Sequence, residues 1–213
     1  MIYTVLLIII AVIAYGIGSM SSVVIASNYV FHVNLRRLGT GSSALSNFRR
    51  IYGAKGFVKL LLVELVRDIL PILIGGLMGI KGQAAVGRAF AGFCLVMGRL
   101  YPVFYDLKGS HAIICMLVVM AFVNFSGALA VLLFVVLGIW LTKYVSLGAV
   151  AGAAVMCIAS LLLVDDPLVM KLALFAGLAV LVRHIPAVSR MLSGRETKLS
   201  FEEDISYKLD NKF

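Results

Sequence analysis

The sequence predicts an all-α, polytopic membrane protein of about seven transmembrane helices, with the amino terminus outside and the carboxyl terminus cytoplasmic. Three observations carry that expectation. Of the 213 residues, 62% are hydrophobic and only 14% charged, against about 45–50% and about 25% in soluble domains. The apolar residues fall in long runs, and at roughly 20 residues per span the chain has room for about seven helices and little else. Finally, 15 of the 19 basic residues fall on alternate connections and the carboxyl-terminal tail, the bias that marks a cytoplasmic face. An ordinary soluble domain, a disordered chain and a disulfide scaffold are thereby excluded. Residues 1–194 are expected to form one helical membrane domain and 195–213 a charged cytoplasmic tail.

Charges, Gly/Pro clusters and the ends of apolar runs set the expected spans. The first runs from Tyr3 to Val30; it lacks a basic n-region and a small-residue cleavage site, so it reads as a retained span. A basic loop from Arg36 to Lys55 follows, then spans over Phe57–Ile80 and Ala84–Phe104. The fourth covers Ala112–Phe122 and breaks at Asn124, and the fifth covers Ala128–Leu141, ending at a short basic turn around Lys143. The sixth, Val145–Val164, is closed by Asp165-Asp166-Pro167, and the seventh covers Leu168–Val182 before a charged tail. Cys94, Cys115 and Cys157 each sit inside an apolar run without metal-type spacing, so they read as small buried hydrophobes. Trp140 and the tyrosines near span ends read as interfacial anchors. His32, near another span end, reads as an interfacial histidine.

The basic face is more specific than topology signalling or attraction to anionic lipid requires. In its first loop, Arg37-Leu38-Gly39-Thr40-Gly41-Ser42-Ser43-Ala44-Leu45-Ser46-Asn47-Phe48-Arg49-Arg50, glycines and hydroxyls lie between arginine pairs. Glycine lets backbone amides approach a ligand, hydroxyls donate hydrogen bonds, and arginine forks onto phosphate oxygens. A second cluster, Lys108-Gly109-Ser110-His111, precedes Ala112; a helix beginning there aims free amides at an anion. A third runs from Arg183-His184 through Arg190 to Gly194-Arg195-Glu196. Three such loops on one face point to a phosphate-bearing substrate. Inside the second span, Glu64, Arg67 and Asp68 are charges expected to face the protein interior, as an ion pair or a substrate contact. His32, His111 and His184 have no supporting ligands for a metal.

These loops, taken in order, resemble the membrane-embedded acyl-phosphate:glycerol-3-phosphate acyltransferases that begin bacterial phospholipid synthesis. Gly18-Ser19 is similar to that family's early Gly-Ser. Arg37–Arg50 is similar to its first motif, Gly-Ser-Gly-Asn-x-Gly-Ala-Thr-Asn-x-x-Arg, and Gly98–Gly109 to its Gly-His-x-Phe-Pro-Val segment and the entry to its second motif. Trp140–Leu147 matches another family stretch. Arg183–Glu196 resembles the third motif, Arg-His-x-x-Asn-x-x-Arg-Leu-x-x-Gly-x-Glu. The resemblance implies a seven-span fold with motifs on the cytoplasmic face, and transfer of an acyl group from acyl phosphate to the 1-hydroxyl of glycerol 3-phosphate. It implies no cofactor and no metal, since the donor is already activated.

By resemblance, Thr40, Arg50, His111 and His184 are the catalytic candidates. Gly39, Gly41, Ser42, Ser46, Asn47, Lys108, Gly109, Ser110, Arg183, Arg190 and Glu196 are the substrate-binding candidates. The expected partners are glycerol 3-phosphate, acyl phosphate and membrane lipid, with no nucleic acid, and the protein is expected to act as a monomer in the cell membrane. The chain also departs from the family pattern. Lys-Gly-Gly-Lys-Gly is replaced by Lys108-Gly109-Ser110-His111-Ala112, the His before Phe-Pro by Arg99, and Lys-Gly in the second span by Arg67-Asp68. In the first motif Ser42 stands for Asn and Ala44 for Gly; in the third Ala187 stands for Asn. These losses fall on ligand-contact positions, which leaves two alternatives: a non-catalytic relative that binds anionic lipid or a membrane partner, and a small transporter using Glu64, Arg67 and Asp68.

Overall fold

The structure, a computed structural model, describes residues 2–25, 45–79, 83–107, 109 and 112–193. The described residues fold into helices: α1 Ile2–Ser19, α2 Ser22–Ile25, α3 Leu45–Met78, α4 Ala84–Leu100, a 3-10 turn Val103–Tyr105, α5 Ile113–Val123, α6 Phe125–Thr142, α7 Val145–Leu163 and α8 Pro167–Leu192. Two compact units divide the chain, residues 1–20 with 65–196 and residues 21–64 with 197–213. The described part of the second unit holds α2 and the amino-terminal stretch of α3.

The first unit is organised around α4. Its buried residues run from Val86 to Leu100 on every side of the helix, because α1, α5 and α8 all pack against it. Small residues allow this crowding. A Cβ on Gly98 would overlap the carbonyl oxygen of Tyr15 on α1, and one on Gly18 would overlap that of Leu95 on α4. Farther along, Gly75 of α3 and Gly87 of α4 meet backbone to backbone. Between apolar helices in lipid, packing has to replace the hydrophobic driving force, and close backbone approach supplies it. Around this centre α6 packs on α7 and α7 on α8, while Leu133, Phe134, Leu162 and Leu178 remain exposed on the outside. Among the described residues, Phe125–Thr142, Val145–Leu163 and Pro167–Met191 are long and apolar enough to cross a membrane.

Several boundaries follow the expected chemistry. Asn124 alone separates α5 from α6: its Oδ1 accepts from Gly127 N at 2.8 Å and its Nδ2 donates to Leu163 O at 2.9 Å. Asp166 caps α8 by accepting from Leu168 N and Val169 N at 2.8 and 3.0 Å, with Pro167 at the first helical position, where a missing N–H costs nothing. The three cysteines are free and buried, and Trp140 is 74% exposed.

Three boundaries differ from expectation. The first helix stops at Ser19 instead of continuing to Val30, because Gly18, Ser19, Ser21 and Ser22 are weak helix formers and Met20–Ser21 bends the chain before α2. The second long helix starts at Leu45, well before Phe57; hydropathy registers the part of a helix that suits lipid, not its polar extension. The last helix continues past Val182 to Leu192 because its first charges are accommodated inside the bundle, as described below.

Gly98→Val is expected to cost about 1–3 kcal/mol, the range for overpacking a dense core, read as a lower midpoint of thermal unfolding in detergent. Gly16→Ala, where an added Cβ meets nothing within 4 Å, leaves the midpoint unchanged or raises it slightly.

Candidate functional site

Within the first unit, the carboxyl ends of α1 and α4 meet Arg183 of α8. The last turn of any helix leaves carbonyl oxygens without intrahelical partners, and here side chains of neighbouring helices supply them. Tyr15 Oη of α1 donates to Tyr101 O at 2.6 Å. Arg183 Nε of α8 donates to Leu100 O at 3.3 Å, and its guanidinium carbon lies 6.0 Å from the centre of the Tyr101 ring, within cation–π range. A guanidinium at this point also opposes the partial negative charge of the α4 terminus.

The second polar segment docks on the same turn. Gly109 lies so close to the Arg99 and Leu100 carbonyl oxygens that a Cβ at this position would overlap both. Three residues later Ala112 sits at φ 53°, in the left-handed region, and serves as the N-cap of α5. Asp106 and Leu107, just before the segment, also have positive φ, 52° and 57°. Non-glycine residues reach this region at a cost of roughly 1–2 kcal/mol each, so packing holds the loop in a conformation its sequence does not favour. The expected helix start after His111 is present, and the first amides of α5 have no carbonyl within their own helix to bond.

His184 is 3% exposed, and its Nδ1 lies 2.7 Å from Val180 O. That bond to a carbonyl places the proton on Nδ1 and fixes the ring orientation. Arg183 is thus anchored on α4 and His184 on its own helix, so α8 passes through both without ending. Arg190 lies seven residues beyond Arg183, on the same helix face, and its charge suits the last turn of α8.

A charge cluster lies nearby in the same unit. Asp68 is 0% exposed and receives Arg67 Nη2 at 2.6 Å and Arg67 Nε at 3.1 Å. Arg99 Nη2 stands 3.4 Å from each of its oxygens. Arg67 Nη1 also donates to Met20 O. Ser19 Oγ, buried beside this bend, has no hydrogen-bond partner among the described residues.

The structure therefore brings Gly109 and Arg183 to one helix end, with His184 next to Arg183 in the chain and Arg190 further along the same helix. Gly39, Thr40, Gly41, Ser42, Lys108, Ser110, His111 and Glu196 lie outside the described residues, as do His32 and the tail from Gly194. Ser46, Asn47 and Arg50 fall on the first turns of α3, in the second unit, where only the backbone is described. Tyr15, Tyr101 and the Asp68–Arg99 contact were not anticipated as parts of one site. Among the described residues, no three His, Cys, Asp or Glu side chains could hold a metal ion.

Comparison with known proteins settles the family. Residues 8–194 match the family model described as glycerol-3-phosphate acyltransferase. The chain belongs to the glycerol-3-phosphate acyltransferase family. The match runs from α1 past the end of α8 and stops just short of Glu196. A relative from Finegoldia magna named glycerol-3-phosphate acyltransferase is 29% identical over 194 residues, covering 91% of this chain and 96% of its own. One of the same name from a Thermoanaerobacter species is 28% identical, covering 92% and 96%. The structure also resembles a crystal structure of PlsY (YgiH), an integral membrane glycerol 3-phosphate acyltransferase, in its glycerol 3-phosphate form. The TM-score is 0.77 at 25% identity, covering 91% of this chain and 96% of that one. As a member of this acyltransferase family, the protein is a multi-pass membrane protein.

Gly109→Ala is expected to force residue 109 away from the end of α4 and to cost about 1–3 kcal/mol. The check is the thermal midpoint in detergent, with limited proteolysis reporting whether the new cutting sites fall between Asp106 and Ala112.

Proposed function

We propose that this protein transfers an acyl group from acyl phosphate to the 1-hydroxyl of glycerol 3-phosphate, giving lysophosphatidic acid and inorganic phosphate. Support comes from the family match, from relatives named for that acyl transfer, and from likeness to PlsY solved in a glycerol 3-phosphate form. The observation that carries it is that residues of two polar segments meet one helix end: Gly109 lies against the Arg99 and Leu100 carbonyls, and Arg183 donates to Leu100 O.

The chemistry asks little of the protein beyond binding and alignment. The hydroxyl oxygen attacks the acyl carbonyl carbon, the carbon–oxygen bond to phosphate breaks, and the hydroxyl proton leaves with the phosphate. Two phosphates have to be held, the hydroxyl aligned, and the developing oxyanion met by fixed donors. In this assignment Lys108, Ser110 and His111, with the amides of Gly109–Ala112, hold the donor phosphate. Thr40 and Arg50, aided by Gly39, Gly41, Ser42, Ser46 and Asn47, bind the acceptor or orient its hydroxyl. Arg183, His184, Arg190 and Glu196 complete the glycerol phosphate side. The site faces the cytoplasm, because that face carries most of the basic residues. The acyl chain enters from the bilayer, and the protein works as a monomer without a cofactor.

Purified protein supplied with acyl phosphate and labelled glycerol 3-phosphate should form lysophosphatidic acid, and Thr40→Ala and Arg50→Ala should each remove nearly all turnover. Absence of product from the wild type, with glycerol 3-phosphate binding unaffected by either substitution, would instead indicate a non-catalytic relative. His111→Lys, which restores the family's fixed charge, is expected to raise turnover about tenfold, equal to roughly 1.4 kcal/mol of barrier.

A further inference from the structure

Arg183 is half-buried, held at two places and open at a third. Its Nε donates to Leu100 O at 3.3 Å, and its guanidinium carbon lies 6.0 Å from the centre of the Tyr101 ring. Among the described residues, nothing accepts a hydrogen bond from either of its Nη groups. Closing the end of α4 uses one of the five guanidinium N–H donors. The four that remain include the Nη pair, which can reach two oxygens of one phosphate group at once.

The ring beside the guanidinium is itself fixed through its backbone. Tyr101 N donates to Met97 O at 2.9 Å, and Tyr101 O accepts from Tyr15 Oη at 2.6 Å. Pro102 follows and restricts the backbone rotation of Tyr101 further. Tyr15 comes from α1, Tyr101 caps α4 and Arg183 lies on α8, so three helices share in setting one guanidinium. A long side chain left free has to be ordered when a ligand binds, which weakens affinity by up to about tenfold. Here the contacts at Nε and at the ring order it during folding, before a ligand arrives. We infer that Tyr15 and Tyr101 are positioning residues for Arg183, which set its open Nη pair to receive the phosphate of glycerol 3-phosphate. The choice of ligand rests on the acyl-transfer assignment above; the ordering of Arg183 does not.

The experiment titrates labelled glycerol 3-phosphate onto the purified full-length protein in detergent and adds steady-state kinetics with both substrates. Tyr101→Leu, which removes the ring, should weaken glycerol 3-phosphate binding about tenfold, and Tyr15→Phe, which removes only the hydroxyl, about threefold. Tyr101→Phe, which keeps the ring, should sit closer to the wild type than Tyr101→Leu does. Arg183→Lys keeps the charge but loses the fork, and should weaken binding at least tenfold. Because Tyr101 acts through Arg183, adding Tyr101→Leu to Arg183→Lys should weaken binding less than twofold further. In the tyrosine variants the KM for glycerol 3-phosphate should rise while kcat and the KM for acyl phosphate change less than threefold. Unchanged binding in Tyr101→Leu, or losses that multiply in the double variant, overturn the positioning role. So does an equal shift of both KM values, which marks a general loosening of the helix end. Should Tyr101→Leu fail to fold, Tyr15→Phe decides by itself, and unchanged binding in it overturns the inference. A wild type that binds glycerol 3-phosphate but makes no lysophosphatidic acid defeats the acyl-transfer assignment alone, and the titrations then decide this inference. A wild type that does not bind glycerol 3-phosphate overturns it outright.

Discussion

The last turn of α4 ends with the carbonyl oxygens of Arg99, Leu100 and Tyr101, which a helix of this length leaves without partners of its own. In a water-filled setting solvent would take them. In the interior of a membrane bundle each needs a protein partner, since an unsatisfied polar group costs several kcal/mol. Tyr15 from α1 and Arg183 from α8 answer that need, and Gly109 closes over what remains because it has no Cβ. Satisfying one helix end thus draws three chain segments to one point. Two of the residues that do so, Gly109 and Arg183, belong to the second and third polar motifs.

This constraint explains why the fold tolerates so much charge near its centre. Arg183 lies against a carbonyl oxygen and an aromatic face, His184 against the backbone of its own helix, and Arg99 against Asp68. None is left to the lipid. Packing supplies the remaining support: glycines where α1 and α3 cross α4 let the backbones approach closely, which is how helices in lipid gain contact. The left-handed backbone at Ala112, where the family pattern has glycine, is held against its own preference.

Much of this was legible in the sequence. Asp166-Pro167 and Asn124 marked helix boundaries because their capping chemistry is local. Hydropathy could not mark where α3 begins or where α8 ends, since both helices extend through polar residues. The close crossings of Gly18 and Gly98 were equally hidden, because a glycine in an apolar run carries no pattern of its own. The Asp68–Arg99 contact needed the third dimension: each residue was visible as a departure, but 31 positions separate them along the chain. For the site, Gly109 and Arg183 lie against the same helix end, a meeting that no local pattern shows, whereas Tyr15 and Tyr101 resembled ordinary interfacial tyrosines.

The most direct test of the account is an experimental structure of the full-length protein with glycerol 3-phosphate bound. The phosphate is expected beside the Arg183–Arg190 face of α8, within hydrogen-bonding reach of at least one guanidinium there. A phosphate bound instead at the opposite end of the bundle, near Gln83 and the start of α4, would contradict it.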